Sequence, residues 1–183
     1  MSKKLIESIN HIKFSKKLPL LILDADEVLV YFAIPFSKFL EKNGWELKLS
    51  DYRLDNAIFN KTDKVLASEK KYKNLINKFI EEETYKQPAI EDAANELTKI
   101  KKIAQIIILS NVPQKYKKDR IYNLRKNNLD YPLICNEGCK GKALQLLSEK
   151  TNKKIIFVDD NPYQIRSAAR YAPKIIRIHF TIR

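Results

Sequence analysis

Glycine is scarce in this 183-residue chain and occurs only at Gly44, Gly138 and Gly141. A dinucleotide-binding loop and a P-loop each need several glycines at fixed spacings, and these three positions match neither pattern. The sequence therefore argues against two common classes of nucleotide-binding protein, the dinucleotide-dependent dehydrogenases and the Walker-type ATPases. If the protein binds phosphate, other residues must hold it.

Cysteine and histidine are equally rare. Cys135 and Cys139 lack the second pair of ligands that a zinc site needs, and His11 and His179 are too far apart in sequence to suggest a histidine-dependent triad. Residues 1–17 are too charged for a secretory leader, and no apolar run approaches the roughly 20 residues that cross a bilayer. We therefore expect a cytoplasmic protein without a disulfide framework or a membrane partner.

Acidic residues are in the minority, because 35 lysines and arginines oppose 22 acids and give a net charge of +13. Such a surplus is compatible with nucleic-acid binding. Lysine greatly outnumbers arginine, however, and the charges are dispersed, which favours a compositional bias over a polyanionic partner. We expect a phosphorylated small molecule as the partner. Nucleic acid stays possible but is not favoured, and the oligomeric state is not predicted.

The most informative segment is the apolar run Leu18–Leu23, which ends in Asp24 and Asp26. A continuous apolar run is typical of a strand buried on both faces of a parallel sheet. Ligands of open α/β sheets bind beyond the carboxyl ends of the strands, so both acids would enter that crevice. Side by side they repel each other unless a cation or a proton lies between them.

Two later apolar segments also deliver polar residues. Residues 106–109 lead into Ser110 and Asn111, and residues 155–158 lead into Asp159 and Asp160. Helical patterns alternate with these segments, which predicts a parallel sheet with helices on both sides. The predicted helices cover residues 88–102, 115–127 and 142–150 and start again at 162, and further strands are predicted at 132–134 and 174–178.

The order Asp-x-Asp, Ser110, Lys140, Asp-Asp, spread from about Pro19 to Ile178, resembles the four-motif signature of the haloacid dehalogenase (HAD) superfamily. Most members of that superfamily are magnesium-dependent phosphatases. The resemblance implies a Rossmann-like doubly wound α/β sheet with a small helical cap inserted between the first two motifs. It divides the chain into a helical lead (1–17), a core (18–33 and 87–183) and a cap (34–86), for which we find no strong strand signal.

The resemblance also implies roles for the first acid pair. Asp24 would attack the phosphorus and form an aspartyl-phosphate, which water then hydrolyses. Asp26 would act as general acid and later as general base, with the neighbouring negative charge helping it to hold a proton. Members that cleave carbon–halogen bonds generally lack this second acid, so Asp26 favours phosphoryl transfer.

The remaining motifs would bind Mg2+ and phosphate. The resemblance assigns Mg2+ to a carboxylate oxygen of Asp24, the backbone carbonyl of Asp26 and the carboxylate of Asp160, with Asp159 orienting this shell. Ser110, the backbone amide of Asn111 and Lys140 would bind the transferring phosphate. Lys142 is the alternative to Lys140, since a different loop could shift the motif by two residues.

Two positions depart from the usual pattern of the superfamily. Glu27 stands where glycine is common, and Gln164 stands where many members have a further acid. Three alternative functions stay open, namely a phosphate or metabolite sensor without turnover, a phosphatase acting on nucleic-acid ends, and a phosphomutase. Aromatic residues could line the pocket or simply pack the cap; these are Phe32, Phe36, Trp45 and Tyr52.

Overall fold

The sheet of the core is parallel. The computed structural model describes residues 2–49 and 53–181. Within them the sheet has the strands β1 (Leu20–Leu23), β4 (Gln105–Ser110), β5 (Leu133–Cys135), β6 (Ile155–Asp159) and β7 (Ile176–His179). These five parallel strands lie in the order β5-β4-β1-β6-β7. The central position of β1 explains its apolar sequence, because both of its edges are paired and both of its faces are covered.

Helices cover both faces of the sheet. The helices are α1 (Lys3–Asn10), α2 (Ala33–Lys42), α3 (Glu69–Glu83), α4 (Ala93–Ile100), α5 (Lys117–Lys126), α6 (Gly141–Glu149) and α7 (Pro162–Tyr171). Leu21 and Leu23 of β1 face an apolar cluster that includes α4 and α5, whereas Leu20 and Ile22 face a second cluster with α1, α6 and α7. The predicted doubly wound α/β fold is confirmed. No helix of the described residues has the length and apolar character needed to span a membrane.

The register of the three central strands aligns their carboxyl ends. Leu23 of β1 pairs with Ile108 of β4 on one side and with Val158 of β6 on the other. The residues that follow these partners therefore emerge at one edge of the sheet. This shared edge is why side chains distant in sequence can meet in one site.

Residues 34–86, called the cap region below, have an apolar cluster of their own. Phe36 and Phe79 are fully buried there, with ring centroids 5.0 Å apart. The region is not purely helical, because β2 (Trp45–Leu47) pairs antiparallel with β3 (Ile58–Asn60). Strands of three residues are too short to give a clear alternating pattern in the sequence. The domain boundaries themselves remain a prediction.

The helix expected to start at Pro88 starts instead at Ala93. The residues before it pair with the loop that follows β1, since the Pro88 carbonyl accepts from Tyr31 N and Ile90 N donates to the Leu29 carbonyl. These bonds hold the chain extended where it returns from the cap region. The helical pattern of residues 88–92 thus yields to tertiary pairing.

Candidate active site

A cavity of about 600 Å³ lies at the carboxyl edge of the sheet, between the core and the cap region. Leu49 and Leu54 of the cap region line it, together with Phe32, which directly precedes α2. The core side supplies most of the residues predicted from the motifs, namely Asp24, Asp26, Asn111, Lys140 and Asp160. Of the other aromatic candidates, Phe36 and Trp45 belong to the cap cluster, and Tyr52 lies outside the described residues.

Lys140 joins the first and the last motif. Its Nζ lies 2.6 Å from Asp24 Oδ1 and 2.7 Å from Asp159 Oδ2, and its side chain is 1% exposed. Burial opposes the charge of the ammonium group, but the two carboxylates outweigh burial and raise the pKa of Lys140. Lys142 is exposed, with its Nζ 5.9 Å from the centre of the Tyr171 ring. The geometry therefore favours Lys140 over Lys142 as the lysine of the site.

Gly141 allows Lys140 to reach this position. A Cβ added at Gly141 would lie 2.5 Å from the Ser167 carbonyl oxygen and 2.7 Å from a ring carbon of Tyr171. Only glycine lets the start of α6 pack this closely against α7. Gln164 secures the same loop, because its Oε1 accepts from Lys140 N at 2.8 Å and its Nε2 donates to the Gly138 carbonyl at 3.3 Å.

Asp160 joins the two carboxylates that contact Lys140 to form a cluster of three acids. Among the described residues, Asp24, Asp159 and Asp160 each offer an oxygen within 4.8 Å of the others. When all three are ionised, Lys140 balances one negative charge and two remain. Burial raises the pKa of Asp24 to about 7, with Lys140 opposing and Asp159 adding to the shift. Burial likewise raises the pKa of Asp160 to about 8, with Asp24 and Asp159 adding to it.

These two unbalanced negative charges fit a divalent cation. Asp159 is already engaged, since Oδ2 contacts Lys140 and Oδ1 accepts from Asn161 N at 2.9 Å. The carboxylate of Asp160, in contrast, has no hydrogen-bond or ion-pair partner among the described residues and faces the cavity. Oxygen-rich, partly open sites of this kind suit Mg2+. Asp24 and Asp160 are thus the two carboxylates that could hold such an ion, whereas the predicted orienting role of Asp159 stays a prediction.

Ser110 and Asn111 lie beside this cluster in different ways. Ser110 is fully buried at the end of β4, and its Oγ accepts from Val112 N at 3.2 Å. It does not line the cavity, although a hydroxyl that accepts one bond can still donate its own hydrogen. Asn111 lines the cavity and donates to the Gly138 carbonyl. Because α5 starts only at Lys117, Asn111 lies in a loop and not at a helix start.

Glu27 has a structural role that explains one departure from the motif pattern. Its φ of 57° lies in the left-handed region, where glycine is the usual residue. Its carboxylate accepts from Phe32 N at 2.7 Å and from Ala33 N at 2.6 Å at the start of α2. These two charge-assisted bonds offset the unfavourable backbone geometry and tie the loop after Asp26 to the cap region.

The motif analysis missed Arg120 and Gln87. The guanidinium of Arg120, 3% exposed, donates from Nη2 to Asp26 Oδ1 at 2.7 Å, and Gln87 Nε2 donates to the same oxygen at 3.1 Å. The expected charged neighbour of Asp26 was an acid, whereas the nearest one is this arginine. A weak signal exists in α5, where Arg120 and Asn123 are polar residues at helical spacing on the buried face.

Comparisons with known proteins identify the fold. No protein-family model and no curated protein matches the chain. Among solved structures, a candidate phosphatase from Clostridium difficile is 17% identical with a TM-score of 0.60, and the match covers 89% of this chain and 85% of that one. A haloacid dehalogenase-like hydrolase from Streptococcus pneumoniae is 11% identical with a TM-score of 0.61, covering 87% and 83%.

A third similar structure, a HAD family hydrolase from Deinococcus radiodurans, contains bound phosphate and sodium. It is 12% identical with a TM-score of 0.55, and the match covers 84% of this chain and 77% of that one. At such identities the likeness concerns the fold. The chain has the α/β fold of the haloacid dehalogenase-like hydrolases, which confirms the fold that the motif resemblance implied.

Proposed function

We propose that the protein is a phosphatase of the haloacid dehalogenase type that cleaves phosphate monoesters through an aspartyl-phosphate. The observation that carries this proposal is the contact of Asp24 with a buried lysine, inside a carboxylate cluster of which Asp24 and Asp160 line one cavity. A carboxylate in this setting can act as a nucleophile, and the ammonium group of Lys140 can offset the charge of an incoming phosphate.

The first half-reaction transfers the phosphoryl group to Asp24. An oxygen of Asp24 bonds to phosphorus, the bond from phosphorus to the ester oxygen breaks, and that oxygen takes a proton from Asp26. In the second half-reaction Asp26 takes a proton from water, whose oxygen bonds to phosphorus while Asp24 leaves. A bound Mg2+, held by Asp24 and Asp160, would supply positive charge to the phosphate oxygens.

A panel of phosphate monoesters tests this function. We expect phosphate release in the presence of Mg2+ and its loss when a chelator removes the metal. Mg2+-dependent ligand binding without release from any ester would contradict the proposal and favour the sensor. Appearance of a phosphate transferred to a second position of the substrate, without free phosphate, would favour the phosphomutase.

Metal binding should also appear in the stability of the protein. Asp24 and Asp160 have folded pKa values of about 7 and 8, above the unmodified value of 3.8. Their protonated forms therefore stabilise the fold fully below about pH 4, and this contribution is lost as the pH rises through 7 to 8. We expect the melting temperature of the metal-free protein to fall as the pH rises from about 4 to about 8.

Mg2+ should reverse this fall because it binds the ionised carboxylates. An ion at 100 times its dissociation constant adds about 2.7 kcal/mol of stability. The expected rise in melting temperature is larger above pH 8 than at pH 6 and is lost in Asp160→Asn. A rise of equal size at both pH values, or one retained in Asp160→Asn, would contradict this metal site.

A groove beside the cavity favours a second candidate, in which the phosphate sits on the end of a nucleic acid. The guanidinium of Arg166 lies 4.6 Å from the Tyr163 ring centre, and Lys142 and Arg170 lie over Tyr171. Among the described residues no carboxylate forms an ion pair with these three cations. Glu137 also lines the groove, and α7 and the Asn136–Lys140 loop form walls of both groove and cavity.

Cations interleaved with aromatic rings are typical of surfaces that bind single-stranded nucleic acid. We expect replacement of the three cations by glutamine to lower kcat/KM for a phosphorylated oligonucleotide but not for 4-nitrophenyl phosphate. The slope of the logarithm of the oligonucleotide binding constant against the logarithm of salt concentration should become less steep by about 2. Each lost phosphate contact accounts for ~0.7 of that slope. The matched control removes three exposed lysines on the opposite face of the sheet, Lys101, Lys102 and Lys126. Equal effects of the two triple variants would remove this candidate.

A further inference from the structure

The carboxylate of Asp26 is held by one of its two oxygens. Arg120 Nη2 and Gln87 Nε2 both donate to Oδ1, at 2.7 Å and 3.1 Å. Oδ2 has no donor among the described residues. Because the side chain also lines the cavity, Oδ2 is the oxygen available to a substrate.

The two donors are themselves fixed by neighbours. Asn123 accepts from Arg120 Nη1 at 3.4 Å and donates to the backbone carbonyl of Gln87 at 2.7 Å. Gln87 Nε2 also donates to the Tyr31 carbonyl at 2.9 Å. Arg120 Nε and Gln87 Oε1 stay buried without a partner among the described residues. Buried polar atoms without partners destabilise a fold, so packing alone gives no reason for a guanidinium here.

We propose that Arg120, assisted by Gln87, is a positioning residue that fixes Asp26 with Oδ2 as its proton-transferring oxygen. This inference rests on the proposed function. Oδ1 can accept both hydrogen bonds whether Asp26 is ionised or carries a proton on Oδ2, since a carbonyl oxygen and a carboxylate oxygen are both acceptors. One orientation therefore serves both half-reactions. The proton leaves Oδ2 for the ester oxygen in the first and returns to Oδ2 from water in the second.

Two substrates that differ in their leaving group test this role. An alkyl phosphate releases a basic alkoxide that needs the proton of Asp26, whereas 4-nitrophenyl phosphate releases a stable phenolate that does not. General acid catalysis contributes about 10²- to 10⁴-fold, so we expect Arg120→Met to lower kcat for the alkyl ester by about 30-fold. The same variant should lower kcat for 4-nitrophenyl phosphate by no more than about 3-fold, and KM should change little.

Three further variants separate positioning from a purely structural effect. Arg120→Lys keeps a charged donor and should recover part of the lost kcat for the alkyl ester. Arg125→Met is the matched control on the same helix, because Arg125 is exposed and pairs with Asp130. It should leave kcat for both substrates unchanged. In a variant that already carries Asp26→Asn, adding Arg120→Met should change the ratio of kcat for the alkyl ester to kcat for 4-nitrophenyl phosphate very little, because both substitutions act through the Asp26 carboxyl group.

Equal losses of kcat on the two esters, or losses that add fully to those of Asp26→Asn, would overturn this inference while leaving the proposed function in place. If the unmodified protein hydrolyses neither ester, the proposed function fails and the inference fails with it. Should Arg120→Met not fold, Gln87→Leu removes the second donor to Oδ1. Gln87→Leu is expected to lower the ratio of kcat for the alkyl ester to kcat for 4-nitrophenyl phosphate by a smaller factor than Arg120→Met.

Discussion

Replacement of Asp24 by asparagine is expected to lower the rate of phosphate ester hydrolysis by roughly 10⁴-fold or more. An amide cannot attack phosphorus as a carboxylate does, so no aspartyl-phosphate can form. The fold should survive, because Lys140 keeps its contact with Asp159 and the cluster loses one of its crowded negative charges. Phosphate release under saturating substrate measures the loss, and thermal unfolding confirms that the variant is folded.

A matched control for this change is Asp130→Asn, which makes the same substitution at an exposed carboxylate paired with Arg125. Its hydrolysis rate should equal that of the unmodified protein. Mass spectrometry of acid-quenched reactions should detect phosphate bound to the segment around Asp24 and not to Asp130. If Asp24→Asn retains the original rate, the covalent mechanism is wrong.

Replacement of Lys140 by methionine is expected to affect stability and activity together. The change leaves Asp24 and Asp159 buried without their shared cation, and removing one partner from a buried ion pair costs about 3–5 kcal/mol. The loss of a positive group aimed at the phosphate should lower kcat by roughly 10²- to 10³-fold. Urea unfolding and steady-state kinetics measure the two effects, and Lys142→Met, two residues away and exposed, is the control.

A double variant separates the two effects. Lys140→Met combined with Asp159→Asn removes one uncompensated carboxylate, so it should recover much of the lost stability without recovering activity. Full recovery of activity in this double variant would show that Lys140 acts only on folding. A Lys142→Met variant with the larger loss of activity would instead make Lys142 the phosphate-binding lysine.

Much of the fold followed from local sequence patterns. The buried run of β1 and the alternation of apolar strands with amphipathic helices predicted the parallel sheet, because periodicity depends only on near neighbours in the chain. The same patterns failed for β2 and β3, which are too short to show alternation. They also failed at residues 88–92, where bonds to Tyr31 and Leu29 override a helical pattern.

The acidic part of the candidate site was also readable in the sequence, because Asp24 and Asp160 follow directly on strands whose ends must align in a parallel sheet. The environment of those acids was not readable. Sequence order said nothing of the arginine that reaches Asp26 across 94 positions, nor of Gln164 securing the loop of Lys140. Such contacts depend on how helices pack, which no short stretch of sequence encodes.

By itself, then, the amino-acid sequence determined the α/β class, the strand ends and the chemical types of the residues placed there. Only the tertiary structure decided that Lys140 and not Lys142 lies between Asp24 and Asp159, and that Oδ1 of Asp26 accepts from Arg120 and Gln87 while Oδ2 has no donor among the described residues. The physical reason is the separation along the chain of the residues that interact. Strand and helix patterns arise from neighbours along the chain, whereas the charge balance and orientation of a buried site arise from elements that meet only after folding.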